Sequence, residues 1–175
     1  SKVLDIYKTC LRDFAFISLR ERSHIPFLSK LVGKDIHHVL DPTLLIDKKI
    51  WEKLIPYSSL LRDKEYILVY ILGFNTFAKT WHLINYFMNK GYAVCIASRV
   101  YSYLDTRIRD ILNLLRSAPS LSYLKRLRFL SYVDPFEFLA LIKNAKYVIT
   151  NSYHGTIFSI IFEKPFVVIP IHRVG

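Results

Sequence analysis

The chain has 175 residues, of which 52% are hydrophobic and 15% aromatic, so it can bury a sizeable core and is not a disordered chain. Its formal net charge is +11, from 25 Lys and Arg against 14 Asp and Glu, which favours anionic partners: phosphorylated substrates, acidic polysaccharide, anionic lipid headgroups or nucleic acid. No run approaches the roughly eighteen apolar residues of a membrane span, and Ser1-Lys2-Val3-Leu4-Asp5 does not read as a signal peptide. Cys10 and Cys95 form no C-x-x-C pair, so a reducing cytoplasm is the expected compartment, with Cys95 a small buried hydrophobe.

Residues 2–13 place Val3, Leu4, Ile6, Tyr7, Cys10 and Leu11 at helical spacing between charged residues. Phe14 to Leu19 reads as a buried strand ending in Arg20-Glu21-Arg22-Ser23. Ser23 is a credible cap for a helix over 24–31, closed by Gly33. Ile36 to Leu40 is a short strand ending in Asp41-Pro42-Thr43. Polar residues thus collect just past strand ends, where open α/β sheets bind ligands. Residues 44–63 are helical in part and broken at Pro56, so they read as the crossing between two domains, which divides the chain into 1–62 and 63–175.

The second unit starts with the apolar strand Tyr66 to Leu72, followed by a helix over 76–90 and a strand over 92–97. A helix over 104–116 and a weaker strand over 128–132 come next. Within 111–133 there is no acidic residue, while Arg116, Lys125, Arg126 and Arg128 are present; a solvated face explains this as simply as a binding surface does. Asp134-Pro135 opens a helix to Asn144, since Asp caps and Pro is tolerated at the first position. Strand 147–150, helix 156–162 and strand 166–169 complete an alternating β-α order. The expected fold class is therefore α/β, a doubly wound Rossmann-like parallel sheet preceded by the end of a first α/β domain. Both ends are expected to be cut, with the second domain incomplete.

The chemistry concentrates in Asn151-Ser152-Tyr153-His154-Gly155-Thr156, a polar turn from a strand into a helix. The first turn of a helix offers N–H groups and the positive end of its dipole, and Gly155 is expected to let an anion approach the backbone. His154 at the mouth of the turn can pair with that anion or move a proton. For Ser152 and Thr156 alone, helix capping is the simpler account; His154 beside Gly155 favours a ligand site. There is no G-x-G-x-x-G, P-loop, H-E-x-x-H or G-x-S-x-G. His37 and His38 point to opposite faces of a strand, so no shared metal is expected, and His24, His82 and His172 lack ligand partners at suitable spacing.

Several blocks together resemble the polysaccharide pyruvyl transferase family: Ile17-Ser18-Leu19-Arg20-Glu21-Arg22-Ser23, then Val39-Leu40-Asp41-Pro42-Thr43-Leu44-Leu45 with Trp51 shortly after. The most specific runs from Asp134-Pro135-Phe136-Glu137-Phe138-Leu139, through Asn144 to Thr156, to Lys164-Pro165-Phe166. The similarity covers about residues 14–170 and implies the later part of a two-domain, glycosyltransferase-B-like enzyme. It further implies transfer of the enolpyruvyl unit of phosphoenolpyruvate onto two hydroxyls of one sugar, leaving a cyclic pyruvate ketal. By that resemblance Arg20 grips one anionic group of the donor. His154, with the N–H groups of Gly155 and Thr156, holds the other. Asn151, Ser152 and Tyr153 complete the binding set. His154 is the first choice for proton transfer, with Glu21 and Asp41 as partners. Tyr153 stands where the family's common motif has Phe, adding a phenol, and Ser152 stands near where some relatives carry a second arginine.

The implied partners are phosphoenolpyruvate and a sugar or lipid-linked oligosaccharide of the cell envelope. No cofactor or metal is implied. A peripheral contact with anionic membrane at its cytoplasmic face fits the basic charge, and no specific nucleic acid is expected. Two rival readings are a GT-B glycosyltransferase using a nucleotide-sugar, and a non-catalytic basic module carried by residues 111–133 that binds anionic polymer or membrane. Binding by such a module would fall steeply with salt and survive His154→Ala.

Overall fold

The computed structural model describes residues 2–55, 65–72, 74–97, 125–130 and 133–170. The chain divides into two compact units, 1–46 and 47–175. The helix expected at 104–116 and the break at Pro56 lie outside the described residues.

In the first unit, α1 (Lys2–Arg12) has no buried residue. Strand β1 (Ser18–Leu19) pairs in parallel with β2 (His37–His38), Ser18 opposite His37 and Leu19 opposite His38. Between them lie a 3₁₀ turn (Arg22–His24) and α2 (Ile25–Val32), which ends on Gly33 in the left-handed region at φ 72°. Glycine adopts that conformation without steric cost, and its N–H closes the helix on the Ser29 carbonyl at 2.8 Å. The strands are shorter than the runs 14–19 and 36–40 from which they were expected, because only two residues of each find a partner. The leading segment is tied down another way: Lys34 Nζ donates to the carbonyls of Arg12 and Phe14, and the Phe16 ring stacks on His37 at 4.8 Å.

The second unit opens with α3 (Lys48–Leu54), capped by Asp47 accepting from the Lys49 N–H at 2.7 Å. Then come β3 (Tyr66–Tyr70), α4 (Phe74–Asn89), β4 (Ala93–Ala97), β5 (Leu127–Leu130), α5 (Pro135–Asn144), β6 (Tyr147–Thr150), α6 (Tyr153–Ile161) and β7 (Phe166–Val168). The five strands form one parallel sheet in the order β5-β4-β3-β6-β7.

Strand β3 is buried on both faces, as its unbroken apolar run requires. Tyr66 and Leu68 pack with Leu139, Leu141, Ile142, Phe158 and Phe162 of the α5 and α6 layer. Ile67, Val69 and Ile71 pack on the other face with Ile84 and Met88 of α4. The period of two therefore sorts one strand into two cores and gives three layers, α/β/α. Trp51 of α3 joins the first core, edge-on to Phe158 at 5.1 Å. Of the basic stretch, Arg126 is structural: its guanidinium donates to the Met88 carbonyl in the last turn of α4 at 3.0 Å.

Candidate functional site

The described strands of the second unit, numbered along the chain, lie across the sheet as 3-2-1-4-5. In such a sheet the connections leaving the first and fourth strands go to opposite sides. A crevice opens between their carboxyl ends, and this switch point is where doubly wound folds bind ligands. Here those strands are β3 and β6, ending at Tyr70 and Thr150, which are opposed in register. The residues after Thr150 are those singled out for their chemistry.

Thr150 organises this end. Its hydroxyl is fully buried, donates to the Tyr70 carbonyl at 2.7 Å and accepts from the Ser152 N–H at 3.0 Å. Asn151 continues the ladder with its side chain. Its Oδ1 accepts from the Leu72 N–H at 2.6 Å and its Nδ2 donates to the Leu72 carbonyl at 2.8 Å, so one amide reproduces a pair of sheet hydrogen bonds. The two strand ends at the switch point are thereby clamped together.

Helix α6 begins at Tyr153, three residues ahead of the expected start at Thr156. Its cap is Ser152, whose Oγ accepts from the Gly155 N–H at 3.3 Å. The Thr156 N–H is taken by the Ser152 carbonyl at 3.0 Å, and the Thr156 hydroxyl donates to the same oxygen at 3.1 Å. The N–H groups of Gly155 and Thr156 thus close the helix start.

Gly155 is buried, and a Cβ there would lie 2.5 Å from Thr150 Oγ1 and 3.2 Å from its Cβ and Cγ2. The close approach that this glycine permits is that of α6 onto the end of β6. Ser159, one turn on, is also buried and donates to the Gly155 carbonyl at 2.7 Å. Tyr153 and His154 remain on the exposed side of the first turn, their rings edge-to-face at 5.4 Å. The motif therefore separates into residues that build the turn (Thr150, Asn151, Ser152, Gly155, Thr156) and residues presented by it (Tyr153, His154). An imidazole on the first turn of a helix lies in the positive field of the dipole, where an anion bound beside it is favoured.

The remaining expected residues lie together in the first unit. Arg20, just past β1, donates from Nε to Glu21 Oε1 at 2.6 Å and from Nη1 to Asp41 Oδ2. Asp41 is buried, and its other oxygen accepts from the Thr43 N–H at 3.0 Å and the Thr43 hydroxyl at 2.6 Å, capping the 3₁₀ turn Pro42–Leu45. Asp-Pro-Thr is thus a capped turn that fixes one carboxylate oxygen on itself and directs the other at Arg20. His38 Nε2 lies 3.2 Å from the Arg20 carbonyl oxygen, an acceptor, so that nitrogen carries the proton. Hydrogen bonds from the guanidinium to Glu21 and then Asp41 raise the Arg20 pKa further above its ordinary value, so it is a permanent cation.

Two contributors were not singled out beforehand: Thr150 and the backbone of Leu72. A threonine closing an otherwise apolar strand was the readable signal for the first. The other acts through its pairing with Asn151, a contact that only the fold creates.

The three-layer parallel α/β unit is a Rossmann-like fold of the kind found in glycosyltransferase-B-like proteins. The UDP-N-acetylglucosamine 2-epimerase from Rickettsia bellii shares this fold: TM-score 0.56 at 13% identity, over 93% of this chain and 44% of that one. The UDP-GlcNAc 2-epimerase of Methanocaldococcus jannaschii, solved with UDP-GlcNAc and UDP, matches at TM-score 0.43 and 18% identity, over 69% of this chain and 32% of that one. The chain spans less than half the length of either. A sequence search of curated proteins finds no match. The family model for polysaccharide pyruvyl transferase matches residues 1–173, nearly the whole chain. The chain belongs to the polysaccharide pyruvyl transferase family, a family of enzymes.

Proposed function

We infer that the full protein transfers the enolpyruvyl unit of phosphoenolpyruvate to two hydroxyls of one sugar, forming a pyruvate ketal and releasing inorganic phosphate. The single observation that carries this reading is the first turn of α6, which the motif builds at the switch point so as to present His154. Family membership gives the reaction class. The acceptor is a sugar of an envelope polysaccharide or its lipid-linked precursor, and the protein works in the cytoplasm, in peripheral contact with anionic membrane. No described helix is long and apolar enough to cross a membrane.

The proton balance defines what the residues must do. Each of two sugar hydroxyls loses a proton as its oxygen bonds to the central carbon of the donor. One proton ends on the terminal carbon, turning CH₂ into CH₃, and the other leaves on phosphate. A group able both to accept and to give a proton near neutral pH is needed, and imidazole meets that requirement. His154 takes this role beside the donor, with the helix dipole favouring the donor's negative charge. Arg20 holds a carboxylate or phosphate oxygen of the donor, which a guanidinium matches in geometry and charge. Asp41 directs Arg20, while Glu21 serves as a further carboxylate for the hydroxyl protons. Asn151, Ser152, Gly155 and Thr156 shape the turn, and Tyr153 adds a phenol beside the imidazole.

The test is phosphate release from phosphoenolpyruvate by the full-length protein against a panel of sugar acceptors. Release is expected only with an acceptor, and Arg20→Ala or His154→Ala is expected to lower kcat/KM by at least about a hundredfold. Normal turnover in both variants would refute the assignment. Turnover of a nucleotide-sugar instead would favour a glycosyltransferase.

A further inference from the structure

Lysines gather at the amino-terminal edge of the parallel sheet, the end of β6 away from Asn151 and the turn that follows it. Strands β6 and β7 pair with Val148 opposite Phe166, and the Val148 N–H donates to the Pro165 carbonyl at 3.0 Å. Carried two residues back, this register sets Lys146, just before β6, beside Lys164, just before β7. Like charges side by side on paired strands are unfavourable. Lys48, at the start of α3, is brought in by its ion pair with Glu163, the chain neighbour of Lys164, at 3.1 Å. Lys143 lies in the last turn of α5, which leads into β6.

These lysines are not equivalent. Lys48, Lys143 and Lys146 each hold one glutamate: Glu163, Glu52 at 3.4 Å and Glu65 at 3.1 Å. Lys164 is half-buried, and among the described residues no carboxylate pairs with it. Its backbone N–H donates to the Ser159 carbonyl at 2.8 Å, and Pro165 follows, so the chain that carries it is fixed at the end of α6. Burial, and then the fields of Lys48, Lys143 and Lys146, lower its pKa from the ordinary value. The fold thus holds a partly desolvated ammonium among like charges without a counter-ion, an arrangement that an anion relieves. A phosphate group suits it better than a single carboxylate, because its extra oxygens and charge can reach more than one ammonium.

We propose that Lys164, with Lys48, Lys143 and Lys146 around it, binds the phosphate group of an anionic ligand at this edge, at the opposite end of β6 from the candidate active site. The phosphate comes from an anionic lipid headgroup or from a soluble molecule. The site does not depend on the donor chemistry of His154 and Arg20, and its headgroup form rests on the membrane contact inferred above.

The experiment is trace acetylation of the full-length protein with acetic anhydride, read lysine by lysine by mass spectrometry. It is run in inorganic phosphate, in sodium chloride of equal ionic strength, and with vesicles of phosphatidylglycerol or of phosphatidylcholine. Phosphate or phosphatidylglycerol is expected to protect Lys164 about threefold or more over its control, and to leave the exposed Lys90 unprotected. Protection by phosphate alone identifies a soluble ligand. Protection by phosphatidylglycerol identifies a headgroup, and Lys164→Met should then lower vesicle partitioning about fivefold. Lys146→Met should weaken the protection of Lys164, which a ligand bound only at the switch point would not require. Turnover of phosphoenolpyruvate should be unchanged in Lys164→Met, so this site and the reaction fail separately. If neither probe protects Lys164 beyond its control, if Lys90 is protected equally, or if Lys146→Met leaves the protection unaltered, the site is overturned.

Discussion

Gly155→Ala separates a packing role for this glycine from a conformational one. Inside a helix, replacing Gly by Ala ordinarily stabilises by about 0.5–1 kcal/mol through lower unfolded-state entropy. At position 155 the added methyl would meet Thr150 Oγ1 at 2.5 Å, about an ångström inside normal contact. Neither side yields easily. The hydroxyl is held between the Tyr70 carbonyl and the Ser152 N–H, and α6 is tied down by the Ser152 cap. Overpacking costs about 1–3 kcal/mol, and a lost Thr150 hydrogen bond adds about 0.5–1.5 kcal/mol. The sum outweighs the propensity gain and leaves a net destabilisation of about 0.5–4 kcal/mol. The assay is urea unfolding of wild type, Gly155→Ala, Thr150→Ala and the double variant. Removing the Thr150 side chain makes room for the methyl, so the double variant should be more stable than the sum of the singles by about 1 kcal/mol or more. A neutral or stabilised Gly155→Ala, or strict additivity, would refute the reasoning.

Two further predictions concern the scaffold. Asp134 makes a complete capping box at α5: its side chain accepts from the Phe136 and Glu137 N–H groups, and the Glu137 carboxylate accepts from the Asp134 N–H. Asp134→Ala should cost about 1 kcal/mol in urea unfolding and leave kcat/KM unchanged, and a lower kcat/KM in the folded protein would tie this cap to the site. Burial pushes the Cys95 thiol from 9.0 up to about 12, and burial followed by the neighbouring Cys95 raises the Tyr66 phenol. Both acids hold their protons more tightly when folded. Their contribution is complete below the unfolded values and is lost as pH rises from about 9 towards 12, so urea midpoints should fall across that window and the fall should shrink in Cys95→Ala. A thiol reagent at pH 8 should modify Cys10, which is exposed, and spare Cys95 until denaturant is added.

Much of the second unit was legible because its signals are local. The α5 boundaries, Pro135–Asn144, match expectation, since Asp134-Pro135 fixes the start by its own hydrogen bonds. Strand β3, apolar at every position, could only be a buried strand in this pattern. The limits of β1 and β2 were not legible, because a strand ends where its partner ends and Phe14 to Ile17 look as strand-like as Ser18 and Leu19. The start of α6 was placed late because Tyr153-His154-Gly155 has no apolar period, although Ser152 carried the cap. Likewise Gly155 read as a ligand-facing glycine from sequence, because neither its neighbour Thr150 nor the packing of α6 on β6 is visible in a one-dimensional pattern.

The position of the candidate site follows from topology before any motif is considered. The described strands run outward from β3 on both sides, so one crevice at carboxyl ends, between β3 and β6, is created by the order itself. Both strands end there, and each polar residue from Thr150 to Thr156 either ties those ends together, starts the helix that follows, or is presented by it. A signature made mostly of such builders reports that the crevice is formed; it does not by itself choose the reaction. On the proposed reading that choice falls to His154 and Tyr153, which the turn presents, and to Arg20 with Glu21 in the first unit. Variants of the builders should therefore lose stability and activity together. On the proposed reading His154→Ala should lower kcat/KM in a protein that still folds, checked by circular dichroism beside the turnover assay.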